Sequence, residues 1–253
     1  MKVLITFALA NEFASWRKLR GFERLSTDAW DQTYVSQSRS CELRVVLTGA
    51  GRLAAQRALA HAFDAEPDIC IVAGLSGSLK ASYAPGEVLA ARSVADVMGT
   101  RKLDCDAELV SRAQAFGAKL VETFLVSEQV VSTAEEKSAL SSSGDAVDME
   151  SLYILAAAAQ RGIRSVAIRA ISDGADSNLP LDFNGVFDEC GAVSIPKVIG
   201  QVVRKPGRIL GLLRLANESE RAAAALARFL EAYILGAELS PGPEIAKGEA
   251  LAV

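Results

Sequence analysis

Three carboxylates sit where an α/β chain could use them for chemistry. Glu12 follows an apolar run at residues 3–9, Glu150 opens an apolar helix-like segment, and Asp173 follows Ser165-Val166-Ala167-Ile168-Arg169-Ala170-Ile171. Carboxyl groups gathered in one partly desolvated site can carry protons or hold hydroxyl groups. Each also has a plainer role: an Asp after a strand often forms a turn, and a Glu at a helix start is favoured by the helix dipole. Position tips the balance, because open α/β sheets bind their ligands at the carboxyl ends of their strands.

The elements that must place these groups can be read from periodicity. Leu152, Leu155, Ala156 and Ala159 follow the i, i+3, i+4, i+7 spacing of one buried helix face, which Gly162 stops. Residues 165–171 are short, apolar and β-rich, as a strand covered on both faces would be. Upstream, strands are expected at 3–9, 43–48, 69–73, 87–91 and 120–126, and helices at 12–24, 52–63 and 105–117. Residues 28–40 read as a loop or an outer hairpin, and Gly74-Leu75-Ser76-Gly77-Ser78-Leu79 as a loop. Thr133 with Glu136 three residues on forms a capping box that starts a further helix. Strands interleaved with helices, without a repeat, predict a three-layer α/β/α sandwich with a central mixed sheet. The chain is expected to be one domain over 1–235, its end a helical extension at 196–235, with 236–253 as a disordered tail.

Composition narrows the function. With 253 residues, 50% of them hydrophobic, and a mean hydropathy of +0.22, the chain can bury one large core. A net charge of -4 supplies no general field for nucleic acid. Cys41, Cys70, Cys105 and Cys190 show no CxxC spacing and read as reduced packing residues of a cytoplasmic protein. The single histidine, His61, leaves almost no material for a metal site or a Ser-His-Asp triad, and it reads as structural. The run after Lys2 imitates a short secretory signal but meets Asn11-Glu12 at once, so it is expected to be the first buried strand.

Two glycine-rich stretches invite a phosphate reading. Gly49-Ala50-Gly51-Arg52-Leu53-Ala54 fits the relaxed GxGxxA form, but the next strand carries no terminal acid for ribose hydroxyls, so a nucleotide cofactor is not expected. These glycines instead suit tight strand-to-helix turns. Gly74 to Ser78 is small enough for a ligand to approach its backbone, and free N–H groups there could bind an anion or a sugar oxygen.

Together the motifs resemble a known family. Val147-Asp148-Met149-Glu150-Ser151, then Arg169-Ala170-Ile171-Ser172-Asp173-Gly174-Ala175-Asp176, with Gly74-Leu75-Ser76-Gly77, Gly49-Ala50-Gly51 and Glu12 before them, are similar to the nucleoside phosphorylase and nucleosidase superfamily, most closely its methylthioadenosine/adenosylhomocysteine nucleosidases. The resemblance implies a homodimer or higher oligomer that cleaves the bond between ribose and purine. That bond breaks through a sugar with oxocarbenium character and needs a protonated leaving group. Asp173 is then the general acid toward purine N7, Glu150 holds the ribose hydroxyls, and Glu12 activates water. Met149, Ser76, Gly77, Val130, Val131 and Ser172 match the walls and backbone contacts of base and sugar. Val131 stands where the nucleosidases carry an aromatic residue, so stacking on adenine is lost. The cationic phosphate holders of the phosphorylases are missing too, though Arg52 and Lys80 could substitute for them, which leaves phosphate as an alternative co-substrate. Arg169 is expected to pair with a buried carboxylate, and Asp148 and Asp176 to support their loops.

A second resemblance begins near residue 178. Asn178-Leu179-Pro180-Leu181-Asp182-Phe183 and Arg204-Lys205-Pro206-Gly207-Arg208-Ile209-Leu210-Gly211-Leu212-Leu213-Arg214-Leu215 look like the tail of hopanoid-associated phosphorylases. That implies adenosylhopane, an adenosine whose 5′ carbon bears a polycyclic lipid. Residues 196–215 carry Lys197, Arg204, Lys205, Arg208 and Arg214 and no acid. Such a segment either lies on an anionic membrane surface or packs as an amphipathic helix on the sandwich or a partner subunit. A purine nucleoside phosphorylase of other base preference and a non-catalytic nucleoside-binding module are the alternative functions.

Overall fold

In the computed structural model the described residues are 1–25, 32–38, 41–188 and 191–239. The expected mixed α/β fold with a central mixed sheet is what they form. The first strand, β1 (Lys2–Phe7), lies between β4 (Glu42–Leu47) and β5 (Ile69–Ser78), parallel to both. Its last five residues are buried, as a strand covered on both faces requires. An outer edge is added by β3 (Thr33–Gln37) and β2 (Glu23–Arg24), both antiparallel. This edge is the outer hairpin of the two readings for that region, and Glu23–Arg24 is strand where helix was expected.

Beyond β5 the sheet curls back on itself. From β5 the sheet runs through β9 (Ala146–Asp148), β8 (Lys119–Val126) and β6 (Val88–Asp96) to β10 (Arg164–Asp173), and β10 returns to pair with β5. A short β7 (Lys102–Asp104) pairs with β6. The stretch expected to loop at 74–79 is therefore strand to Ser78, because β10 pairs with it through Gly77. Its backbone is engaged in the ladder and in a bond to Glu12, so the anion-cradle reading of 74–78 does not hold.

Helices cover this sheet. The first, α1 (Ala10–Arg20), packs on the C-terminal helix α7 (Ile209–Leu239), while α2 (Arg52–Ala62) packs on α5 (Ser151–Ala159). Both α1 and α7 are held by Glu231, which accepts from Trp16 Nε1 (2.9 Å) and from Arg20 Nε (2.8 Å). The helix α3 (Ala107–Ala115) lies against β6 and β8. The capping box read from Thr133 and Glu136 starts α4 (Ala134–Leu140).

The C-terminal region differs in detail from its sequence reading. Here α6 (Ile195–Arg204) buries none of its residues, and α7 is one helix of 31 residues from Ile209. It passes the expected start of the tail by four residues, to Leu239; the rest of that tail lies outside the described residues, as does Cys190. The other three cysteines are buried free thiols. Among the described residues no helix is long and apolar enough to cross a membrane.

Candidate active site

Strand ends and helix starts converge on one cavity of ≈ 240 Å³. Its lining includes Glu12, Ser76, Gly77, Val130, Val131, Met149, Glu150, Ser172 and Asp173, so every site residue expected from the sequence reaches the same space. No lysine, arginine or histidine lines it among the described residues. His61 is elsewhere, exposed on α2 beside Asp64. Arg52 and Lys80, the candidate phosphate holders, do not line the cavity and pair with Glu128 and Asp145 at 3.3 and 2.6 Å.

The acids are fixed by a buried arginine. Arg169, 1% exposed on β10, donates from Nε to Asp148 Oδ2 (3.1 Å) and from Nη2 to Ser151 Oγ (2.8 Å), and lies 3.8 Å from Glu150 Oε2. Asp148 in turn accepts from the Glu150 and Ser151 N–H groups, both 2.9 Å, and so ties the entry of α5. Glu150 accepts from the Gly51 N–H at 2.7 Å. Glu12 accepts from the Ala8 and Leu9 N–H groups with Oε2 and from the Leu75 N–H with Oε1, all within 3.1 Å. Burial raises the pKa of both glutamates; for each, Arg169 is the largest opposing influence, followed for Glu12 by its backbone donors.

Glycine at two positions makes this packing feasible. A Cβ on Gly74 would lie 2.2 Å from Arg169 Nη1, so any side chain there expels the guanidinium. Gly51 caps α2 at φ +85°, which gives Glu150 its donor, so the turn reading of Gly49-Ala50-Gly51 agrees with the structure.

Asp173 is aimed by a sheet irregularity. The register of β10 on β5 shifts between Ile171 and Asp173, and such a bulge redirects a side chain. Asp173 Oδ1 then faces the Ser172 hydroxyl at 2.6 Å, and Oδ2 accepts from Lys137. The Ser76 hydroxyl is buried in the cavity wall without a protein partner, an orphan that a ligand would satisfy.

The far wall is apolar: Leu179, Phe183, Phe187, Val193 and Leu215. Asn184 beside it accepts from the Val130 N–H at 2.7 Å. Sequence reasoning did not single out Phe187, Asn184 or Lys137. In the charged stretch Glu135-Glu136-Lys137 nothing local marks the lysine as buried, since its neighbours are those of a solvated helix.

Comparison with known proteins now decides the family. The model described as Phosphorylase superfamily matches residues 29–203. The chain belongs to the phosphorylase superfamily. Solved structures support its fold at low identity. Futalosine hydrolase of Helicobacter pylori superposes with a TM-score of 0.73 at 16% identity over 93% of this chain and 98% of its own. The 5′-methylthioadenosine/S-adenosylhomocysteine nucleosidase of the same organism gives 0.73 at 17%, again over 93% and 98%. S-adenosylhomocysteine nucleosidase from Streptococcus pyogenes gives 0.71 at 16%, over 93% and 97%. Comparison with curated proteins gives no match.

In this superfamily member the arginine cluster should depend on the glycine beneath it. Gly74→Ala is expected to lose about 3 kcal/mol of stability, the scale for breaking a buried ion pair. Urea denaturation of both proteins checks this, and equal midpoints would show that Arg169 has another place to go.

Proposed function

We propose that the protein cleaves the N-glycosidic bond of a purine nucleoside, with water as the nucleophile. The observation that carries this is the convergence of Glu12, Glu150 and Asp173 on one cavity whose described lining holds no cationic side chain. Such a lining suits a substrate that becomes cationic at the sugar and offers nothing to a phosphate dianion. Asp173 protonates the departing purine, Glu150 holds the ribose hydroxyls, and Glu12 takes the proton of the attacking water. A related fold holds 5′-methylthioadenosine in the active site of a Helicobacter pylori nucleosidase mutant, which supports adenine nucleosides as the substrate class.

The 5′ group is read as apolar and large, with adenosylhopane as the specific candidate. Leu179, Phe183, Phe187, Val193 and Leu215 form an apolar wall, and Lys197 Nζ on α6 donates to Phe187 O at 2.6 Å. From that anchor α6 presents Ile195, Ile199 and Val203, each more than half exposed, in a single i, i+4, i+8 stripe. Arg204, Lys205 and Arg208 follow it. An apolar stripe bordered by cations fits an anionic lipid surface, where a lipid-linked nucleoside would reside.

Products decide the reaction. Incubation with 5′-methylthioadenosine and a 5′-alkyl adenosine should release adenine and free sugar at the same rate with or without phosphate, read by mass spectrometry. A sugar phosphate would sink the water reading. Asp173→Asn should slow turnover at least about a hundredfold while ligand affinity survives; unchanged turnover would remove Asp173 from its role, and no turnover by the native protein would leave a binding module.

The pH profile follows from the buried glutamates. Glu12 must be ionised to accept a proton, and its pKa, like that of Glu150, is raised above 4.5. Falling pH therefore protonates the pair early, and the acidic limb of kcat/KM should lie above 4.5, as a property of both groups. A limb at or below that value contradicts the assignment.

Membrane attachment has its own readout. The protein should sediment with anionic liposomes, and charge reversal at Arg204, Lys205 and Arg208 should reduce that fraction by at least about tenfold, at roughly 1 kcal/mol per basic residue. A protein that ignores liposomes but elutes as a dimer would assign the stripe to contact between subunits.

A further inference from the structure

Behind Asp173, away from the cavity, stands a fully buried lysine. Lys137 on α4 is 0% exposed. Its Nζ donates to Asp173 Oδ2, to Gly174 O (2.8 Å) and to Ser177 O (3.1 Å), so all three ammonium protons have acceptors. Asp173 lines the cavity and Lys137 does not, so the carboxylate lies between the ammonium and the ligand space. Burying an ammonium is costly unless it is fully compensated, and a hydrophobic side chain would fill the same place without that cost. A structural role alone does not need the charge.

We propose that Lys137 is the proton reservoir of the general acid, a positioning residue that acts through Asp173. The inference rests on Asp173 being the acid. As the bond between C1′ and the purine breaks, its electron pair moves onto the base, and the base takes a proton at N7 from the Asp173 carboxyl. The proton on that carboxyl comes from Lys137 Nζ across the bond to Oδ2, which leaves a neutral amine and a carboxylate. The carboxylate then faces the sugar cation. Water supplies hydroxide to C1′ and its other proton to Glu12. Release of products lets that proton pass to solvent and lets Lys137 take one back, so no net proton is consumed.

This arrangement ties Lys137 to the leaving group and to nothing else in the reaction. An adenine leaving group needs the proton; a p-nitrophenolate leaving group departs without one. Lys137→Met should therefore lower kcat on 5′-methylthioadenosine at least about a hundredfold, yet change hydrolysis of the 5-methylthio-ribosyl p-nitrophenyl ether by less than about threefold. Equal losses on both substrates would reduce Lys137 to a packing role, and no loss on either would remove it from the reaction. Because the single variant leaves Asp173 without its partner, Lys137→Met with Asp173→Asn is measured as well. With no lone charge buried, it should be no slower on 5′-methylthioadenosine than Asp173→Asn alone, and a further tenfold loss overturns the proposal. Wild-type turnover in Asp173→Asn would defeat the acid assignment itself, whereas a slow Asp173→Asn beside a fast Lys137→Met defeats only the role of Lys137.

Discussion

A single buried guanidinium organises this protein. Arg169 reaches from β10 across the close approach at Gly74 to Asp148 and Glu150, and it is the largest influence opposing desolvation at Glu12. Elements distant in sequence are thereby tied together: β10, the β9–α5 junction and, through Ala73 O, β5. Its three carboxylate neighbours outnumber it. The excess is concentrated on the two glutamates, whose raised pKa values show that burial outweighs the cation. A site built this way is short of positive charge, and a substrate that develops a cation would supply it.

The cavity has two characters. One wall is polar and rigid, made of backbone N–H donors, three acids and the orphan hydroxyl of Ser76. The other is made of Leu179, Phe183, Phe187 and Val193, from the chain between β10 and α6, with Leu215 from α7. The polar wall is tied to the sheet: Asp173 and Ser76 lie on strands, and Glu12 at the start of α1 and Glu150 at the start of α5 are held by backbone N–H groups. The apolar wall rests mostly on the segment between β10 and α6, which α6 ties down through Lys197 and Phe187 O. Loops tolerate change that a packed sheet does not, so the apolar wall can vary where the polar wall cannot.

Local and tertiary information divide cleanly at the active site. The carboxylates Glu12, Glu150 and Asp173 were legible because each stands at the end of a strongly patterned element, and strand ends are where such sheets bind ligands. The pairing of Arg169 with a buried carboxylate was legible for a similar reason: a lone arginine in an apolar strand needs a counter-charge. Lys137 was not, because its sequence neighbours are those of an exposed helix and only the docking of α4 onto the turn after β10 buries it.

The sequence by itself determined the alternation of strands and helices, the family, and the placing of Glu12, Glu150 and Asp173 at element ends, because hydrophobic period and turn chemistry are local properties. Tertiary structure alone decided the rest. It extended β5 through the glycine-rich stretch, since a strand lasts as long as a neighbour supplies hydrogen bonds, and β10 supplies them to Gly77. It closed β10 onto β5, set the bulge that aims Asp173, and placed Arg52 and Lys80 outside the cavity lining. These outcomes depend on which distant backbone or charge lies within about 3 Å, the range over which a hydrogen bond forms, and no local pattern encodes that distance.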